Sequence, residues 1–432
     1  MNEYDSNRII NFTKKVNYVP TKDIKLTDCY ILNTCHIREK ATEKVYHEVG
    51  RLKKQFRNKK KPIVLIVGCV AQAEGDVLLQ KEKYIDAVVG PQSYQEINNI
   101  IQKLEQKESS KINYTEFETI KKFDQLRATN NLDNKISSFL TIQEGCDKFC
   151  KFCVVPYTRG PECSRPFEDI ISEANQLVKN GSKEITLLGQ NVNAYKFKDK
   201  RLSDLLYCLN EIKNLKRIRY TTSHPKDFSE DLFEAHNSCK KLMPLLHLPV
   251  QSGSTKILKA MNRNHSIAEY LSIIDKLLIK KPSLKFSSDF IIGYPGETKK
   301  DFDQTLSLIK KVGFINSYSY LYSPRPGTPA AKLEEVDYSL AKDRLYTFQN
   351  LANQIKKDYR KKLVNTKVKV LFENKIGDDN KYFGRDEYYN SVIVHSNQDL
   401  SGQIKDINIF KYNHNTLFGE VISETITKEY AA

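Results

Sequence analysis

The chain carries nine cysteines, at positions 29, 35, 69, 146, 150, 153, 163, 208 and 239. Three of them, Cys146, Cys150 and Cys153, form a C-x3-C-x2-C run. Thiolates packed this closely can hold three irons of a cubane and leave the fourth iron open to a small molecule. Phe152, just before the last cysteine, is placed to cover one side of such a cluster. The competing chemistry is structural zinc with Cys163 as the fourth thiolate. Zinc modules favour two C-x2-C pairs, whereas here a ten-residue jump separates Cys153 from Cys163. A disulfide framework is disfavoured by the odd cysteine count. The opening Met1-Asn2-Glu3-Tyr4-Asp5-Ser6 also lacks the basic and apolar regions of a secretion signal. The expected compartment is the cytoplasm.

These cysteines need elements to position them. Residues 1–108 alternate between strand and helix patterns. Cys29 to Thr34, Pro62 to Val67 and Asp86 to Gly90 read as strands. Between the first two, Arg38 to Phe56 has helical spacing, with Ala41, Val45, Val49 and Leu52 on one face. This predicts a small parallel α/β domain with functional groups at the carboxyl ends of its strands. The polar stretch 109–135 reads as a linker. The alternation resumes over 136–362, with strands expected at Phe139 to Gln143, Glu184 to Leu188, Ile218 to Thr221, Leu245 to Pro249, Leu284 to Ile292 and Ser317 to Tyr322. Helical patterns lie between them, including Asp169 to Lys179 and Ile267 to Ile279. Six such units suit a partial (β/α)6 barrel better than a doubly wound sheet. Residues 365–428 change to short β-rich segments, Val368 to Phe372, Tyr388 to Val394 and Thr416 to Val421, which read as a small OB-like barrel.

At 432 residues, of which 40% are hydrophobic and 28% charged, the chain can bury about three domain cores and is not a disordered polymer. No apolar run is long enough to span a membrane. The net charge of +16 fits a polyanionic partner, or a Lys-rich composition that only maintains solubility. The segment Arg51 to Lys61 holds seven cations in eleven positions, and reads as a solvated helix end or a phosphate contact.

Several motifs in order give the chain a resemblance to a known family. They are Asn33-Thr34-Cys35-His36-Ile37-Arg38-Glu39-Lys40-Ala41, Gly68-Cys69-Val70-Ala71-Gln72, Gly90-Pro91-Gln92-Ser93-Tyr94 and Gln143-Glu144-Gly145-Cys146 through Arg159-Gly160. Leu188-Gly189-Gln190-Asn191, His247-Leu248-Pro249-Val250-Gln251-Ser252-Gly253, Gly293-Tyr294-Pro295-Gly296-Glu297 and Tyr322-Ser323-Pro324-Arg325-Pro326-Gly327-Thr328 continue it. Across all three predicted domains the chain resembles the methylthiotransferase family of radical S-adenosylmethionine (SAM) enzymes. The stretch after Cys35 is similar to the branch acting on N6-isopentenyladenosine in tRNA, rather than those acting on another tRNA adenosine or on a ribosomal protein. The resemblance implies an N-terminal cluster domain, a radical SAM barrel, a C-terminal TRAM domain, two 4Fe–4S clusters and SAM. Cys146, Cys150 and Cys153 would hold the radical cluster. Reductive cleavage of SAM would give a 5′-deoxyadenosyl radical that abstracts hydrogen from C2 of adenine, while a second cluster carries the incoming sulfur. Gly189, Gln190 and Asn191 would line the SAM pocket, with Gly253 and Gly293 permitting close backbone approach. The implied partners are the anticodon loop of tRNA, an electron donor and proteins supplying sulfur or clusters. The chain is expected to act as a monomer.

One departure from the family pattern stands out. The second cluster has three cysteine ligands in the family, and Cys35 and Cys69 match two of them. The first lies in a Gly-Cys-Gln stretch just before the Met-Asn motif, whose methionine here is Met1. The expectation is therefore an N-terminal domain lacking its first strand and one ligand, through a start assigned too far downstream or through a real truncation. A truncated, non-catalytic RNA-binding paralogue is the corresponding alternative. Cys29 is a poor replacement, since it begins the strand that Cys35 ends, about 20 Å away at 3.3 Å per residue. Cys163, Cys208 and Cys239 match no ligand position and read as small buried hydrophobes.

Overall fold

The computed structural model describes residues 1–35, 41–108, 111–116, 135–377 and 379–422. In the N-terminal domain four parallel strands lie in sequence order: β1 (Cys29–Thr34), β2 (Ile63–Gly68), β3 (Ala87–Val89) and β4 (Ile112–Tyr114). The side chains of β2 alternate between two cores, as the pleat requires. Val64 and Ile66 pack with Val45, Val49 and Leu52 of α2 (Ala41–Gln55) and with Val70 and Leu78 of α3 (Cys69–Lys81). Leu65 and Val67 pack on the other face against Ile9 and Phe12 of α1 (Asn2–Lys14) and Ile97, Ile100 and Ile101 of α4 (Ile97–Glu105). Two expectations change. Residues 112–114, placed in a linker by composition, form the edge strand β4, because three residues suffice to extend a parallel sheet. Helix α1 is not marked by any strand–helix alternation in the sequence. The expected helix start at Arg38 falls outside the described residues.

The central domain has the six expected strands: β5 (Ser137–Thr141), β6 (Glu184–Leu188), β7 (Arg217–Tyr220), β8 (Leu245–His247), β9 (Lys285–Ile292) and β10 (Asn316–Leu321). They form two parallel three-stranded sheets, β5-β6-β7 and β8-β9-β10. The sheets are stitched where the Ile218 amide donates to the Lys241 carbonyl (2.7 Å) and the Met243 amide to the Ile218 carbonyl (3.0 Å). Among the described residues β5 and β10 do not pair, so the barrel is open along that side. The outer faces of β5 to β9 (Leu140, Ile185, Leu187, Ile218, Leu246, Phe290) join one core with the surrounding helices. These include α5 (Phe167–Lys179), α6 (Leu202–Glu211), α7 (Glu230–Ser238), α8 (Ile267–Lys280), α9 (Lys299–Val312) and α10 (Tyr338–Leu363). The alternating inward positions are mostly polar: Thr141, Glu184, Thr186, Arg217, Arg219, Ser287 and Asp289. A barrel with an apolar outside and polar inside is a chamber, not a packed core.

The C-terminal domain is a closed five-stranded barrel in the order β11-β12-β13-β15-β14. Its strands are β11 (Lys367–Ile376), β12 (Lys381–Asp386), β13 (Ser391–His395), β14 (Ile404–Tyr412) and β15 (Thr416–Val421). Two of these, β12 and β14, escaped the sequence reading, and Tyr388 to Asn390 is a loop rather than strand. This barrel docks on the amino ends of β6 and β7. Arg217 donates to the carbonyls of Arg385 (2.7 Å) and Lys369 (2.9 Å), and Arg219 to those of Glu387 and Asp386 (both 2.9 Å). Among the described residues, no helix is long and apolar enough to cross a membrane.

Candidate functional site

The three closely spaced cysteines lie at the carboxyl end of the barrel strands. After β5 the chain forms a two-residue bridge, Gln143–Glu144, antiparallel to Cys163–Ser164, and the intervening residues loop over the barrel mouth. Gly145 makes this crossing possible: its φ is +80°, and a Cβ there would meet the Pro161 carbonyl oxygen at 1.8 Å. The loop is pinned from the facing sheet. The Lys151 amide donates to the Met261 carbonyl (2.9 Å), the Ala330 amide to the Lys151 carbonyl (3.0 Å), and Asn262 Nδ2 to the Phe149 carbonyl (3.0 Å). Phe152 is half-buried against Ile257, Met261, Tyr294 and Tyr322, on the same apolar cluster as Ile291.

Cys150 is buried, Cys146 and Cys153 are half-buried, and all three are free thiols. Burial pushes the Cys146 thiol up to about 11 and the Cys153 thiol up to about 12, with each also feeling the field of Cys150. Arg263 Nη1 stands 3.7 Å from Cys150 Sγ, while its buried Nε has no partner among the described residues. Among the described residues, no group of His, Cys, Asp or Glu side chains converges on one metal ion. Cys163 faces Glu144 in the two-residue bridge. The thiolates of a cubane bind different irons and stand further apart than ligands of one ion. Three free thiols in one loop, with Arg263 against Cys150, fit that requirement.

Gly189, Gln190 and Asn191 follow β6 and are brought directly to this loop. Gln143 Oε1 accepts from the amides of Gln190 (3.0 Å) and Asn191 (3.1 Å), and Gln190 Oε1 accepts from the Gly145 amide (2.7 Å). A Cβ at Gly189 would meet Gln143 Oε1 at 2.7 Å. Asn191 Nδ2 donates to Asp227 Oδ2 (2.7 Å), whose other oxygen pairs with Lys148 Nζ at 2.7 Å. Gly253 and Gly293 also lie at carboxyl strand ends, but their close approaches are to helices. A Cβ at Gly253 would meet Thr305 Cα of α9 at 2.4 Å, and one at Gly293 the Ala341 Cβ of α10 at 2.7 Å. Helix packing therefore accounts for both of these glycines.

Cys35 and Cys69 form the second constellation. Thr34 and Gly68 are register partners at the ends of β1 and β2, so the cysteines that follow them stand side by side. Cys29, at the far end of β1, is pushed up to about 12 by burial and lines a separate cavity of about 1880 Å³ between α1, the β1 edge and the turn after α2. The structure keeps it away from Cys35. Cys239 is buried as expected, but Cys208 is exposed on α6 and Cys163 only half-buried. A helical residue on the solvent face needs no apolar partner, and sequence spacing did not resolve that face. In the Arg51 to Lys61 run, Arg51 pairs with Glu48 (2.8 Å), Lys53 with Glu82 (2.7 Å) and Lys61 with Asp86 (2.5 Å).

Between the two constellations runs a buried ionic bridge that motif reading did not reveal. Arg159 Nη2 pairs with Asp5 Oδ2 of α1 at 2.7 Å and its Nη1 with Glu144 Oε2 at 3.4 Å; Arg8 stands 3.7 Å from Glu144 Oε1. Gln92 Nε2 donates to the Arg159 carbonyl at 2.6 Å. Burial opposes the Arg159 charge, but Asp5, then Cys69 and Glu144, hold its guanidinium well above its ordinary pKa. One side of this bridge touches the Cys69 end of the N-terminal sheet, and the other lies two residues from Cys146. The only sequence trace was Arg159 and Gln92 falling inside motifs; their mutual contact needed the fold.

Comparison with known proteins agrees with this three-part layout. The radical SAM superfamily model matches residues 140–309, the TRAM domain model residues 361–422, and uncharacterized protein family UPF0004 residues 1–90. The tRNA-2-methylthio-N(6)-dimethylallyladenosine synthase of Pelagibacter ubique is 56% identical over 437 residues, covering 100% of this chain and 97% of that protein. The chain belongs to this synthase family. Members from Wolbachia pipientis (46% identical, 97% of each chain covered) and Roseobacter denitrificans (46%, 96% of this chain and 95% of that one) carry the same name. Among solved structures, the radical SAM methyltransferase TsrM of Kitasatospora setae, with tryptophan and a SAM analogue bound, shares the fold. Its TM-score is 0.55 at 10% identity, over 76% of this chain and 67% of that one. As a family member, the chain is a radical SAM transferase that uses SAM and iron–sulfur clusters.

Proposed function

We propose that this chain methylthiolates C2 of N6-isopentenyladenosine at position 37 of tRNA. The observation that carries the reading is the placement of two cysteine sets at the carboxyl ends of two parallel sheets, joined by the Asp5–Arg159–Glu144 bridge. Cys146, Cys150 and Cys153 would hold a 4Fe–4S cluster, and Cys35 and Cys69 would contribute to a second. When bound, the clusters supply the electron for reductive SAM cleavage and the sulfur to be transferred. The protein's own residues do the positioning. Gln143 fixes the amides of Gln190 and Asn191, Asn191 joins Asp227 and Lys148 at the rim, and Arg263 places a permanent cation against Cys150. The polar barrel interior then admits a base between the cysteine loop above and the C-terminal barrel below.

The test is anaerobic reconstitution of the full chain, iron and sulfide analysis, and mass spectrometry of nucleosides from tRNA incubated with SAM and reductant. Two cubanes and a methylthio product on isopentenyladenosine support the reading. One cubane with SAM cleavage but no product would support a non-catalytic or incomplete form instead. Product on a different adenosine, or on protein, would move the chain to another branch.

A further inference from the structure

Below the cysteine loop the chamber holds a second group of side chains that the chemistry above does not use. On β10, Tyr318 faces inward opposite Asp289 of β9, yet its side chain is 49% exposed, because β10 borders the open side of the barrel. Its ring meets His247 edge-on at 6.0 Å between centroids. His247 is held by polar partners on both ring nitrogens, Nδ1 at 3.0 Å from Ser287 Oγ and Nε2 at 3.4 Å from Asp289 Oδ2.

The C-terminal barrel adds a second ring. Tyr389 sits in the loop after β12 with φ of +64°, a left-handed conformation that a bulky residue adopts only when its surroundings hold it there. Asp386 does so, its Oδ1 accepting from the amides of Tyr388 (2.9 Å) and Asn390 (2.7 Å). The Tyr389 ring is then flanked by the guanidinium carbons of Arg385 at 4.2 Å and Arg219 at 4.9 Å from its centroid. Both cations are already neutralised, Arg385 by Glu373 at 3.1 Å and Arg219 by Glu184 at 2.9 Å. With both cations paired and stacked on the Tyr389 ring, this wall of the chamber is not a seat for phosphate.

We propose that Tyr318, with the His247–Asp289 pair, forms a subsite for one unstacked nucleobase of the tRNA, next to the target adenosine. The inference rests on the tRNA reading above. Asp289 lies one inward position below Ile291, which packs on the same apolar cluster as Phe152 of the cysteine loop. Two residues of strand rise about 7 Å, roughly the step from one splayed nucleotide to the next. The target base belongs at the upper level, and a neighbour at the lower. Stacking on exposed aromatic rings is how proteins hold single-stranded bases, at about 5- to 150-fold in affinity per base. The C-terminal barrel, on this view, completes the chamber wall besides adding surface.

The test uses the full, cluster-reconstituted chain and an anticodon stem-loop RNA bearing isopentenyladenosine, titrated at one fixed salt concentration. Tyr318→Ala should weaken binding about tenfold, while Tyr318→Phe and Tyr389→Phe, which keep the ring, should bind within twofold of the parent. A 2-aminopurine on one side of the target should be quenched on binding the parent and not on binding Tyr318→Ala. Thermal melting of each variant separates a lost contact from a lost fold. Parental affinity for Tyr318→Ala, or unquenched 2-aminopurine on both sides of the target, overturns the subsite. Failure of the parent itself to bind the RNA would instead remove the tRNA reading.

Discussion

Replacing Arg159 by methionine should destabilise the junction between the N-terminal and central domains more than any other single change at the site. The Asp5 side chain is fully buried and that of Arg159 is 5% exposed, with 2.7 Å between their charged atoms. Arg159→Met keeps most of the volume but leaves Asp5 and Glu144 facing each other without the guanidinium between them, and Arg8, 3.7 Å from Glu144, offsets part of that. Breaking a buried pair in this way costs about 3–5 kcal/mol, a large part of an ordinary domain's stability. Asp5→Asn alone should cost less, about 1.5–3 kcal/mol, because Arg159 keeps Glu144 as a partner. The double variant removes both charges, so its loss should fall short of the sum by about 1–3 kcal/mol. With three domains the chain does not unfold in one step. Hydrogen exchange of peptides from β2 and β5 across a urea series gives the local stability on each side of the bridge. A loss below about 1 kcal/mol on both sides, or strictly additive losses, would refute the argument that the charges depend on each other.

Cys150→Ala removes the thiol that Arg263 contacts, and 5′-deoxyadenosine formation should fall to background; continued cleavage would show the ligand assignment to be wrong. Deleting residues from 365 onward should abolish tight tRNA binding and also lower the melting temperature of what remains, because Arg217 and Arg219 lose the four carbonyls they donate to. An unchanged melting point would mean that the docked barrel does not support the central domain. Burial lowers His236 to about 3, with Tyr220 Oη 2.5 Å from its Nε2. Its folded pKa lies below the unfolded value, so its contribution is complete above pH about 6.5 and is lost as pH falls toward 3, at about 1.4 kcal/mol per unit. The parent should therefore lose about 2 kcal/mol between pH 7 and pH 5 through this group, and His236→Gln should flatten that slope in urea titrations.

The amino-acid order by itself determined the features that depend on local spacing. The C-x3-C-x2-C run specifies a chemistry because three thiols in one loop can meet only one kind of cofactor well. The short apolar run within Glu184 to Leu188 and the alternation of Phe286, Phe290 and Ile292 with polar residues specify strands, and the helical period of Val45, Val49 and Leu52 specifies the face of α2. Where side chains from distant segments meet, spacing carries no information. Asp5 and Arg159 are 154 residues apart, and Arg217 and Arg385 are 168 apart, and neither pairing follows from any pattern. The same holds for Gly253 and Gly293, since a glycine in a strand-end motif looks alike whether a ligand or a helix approaches it. Short edge elements such as β4 are too brief to build a periodic signal and exist only because β3 offers them a free edge. The sequence thus determined which chemistry is present and at which strand ends it sits. The tertiary structure decided how the two cysteine sets are joined and what closes the chamber, because buried charges and facing rings acquire meaning only from the neighbours that folding brings to them.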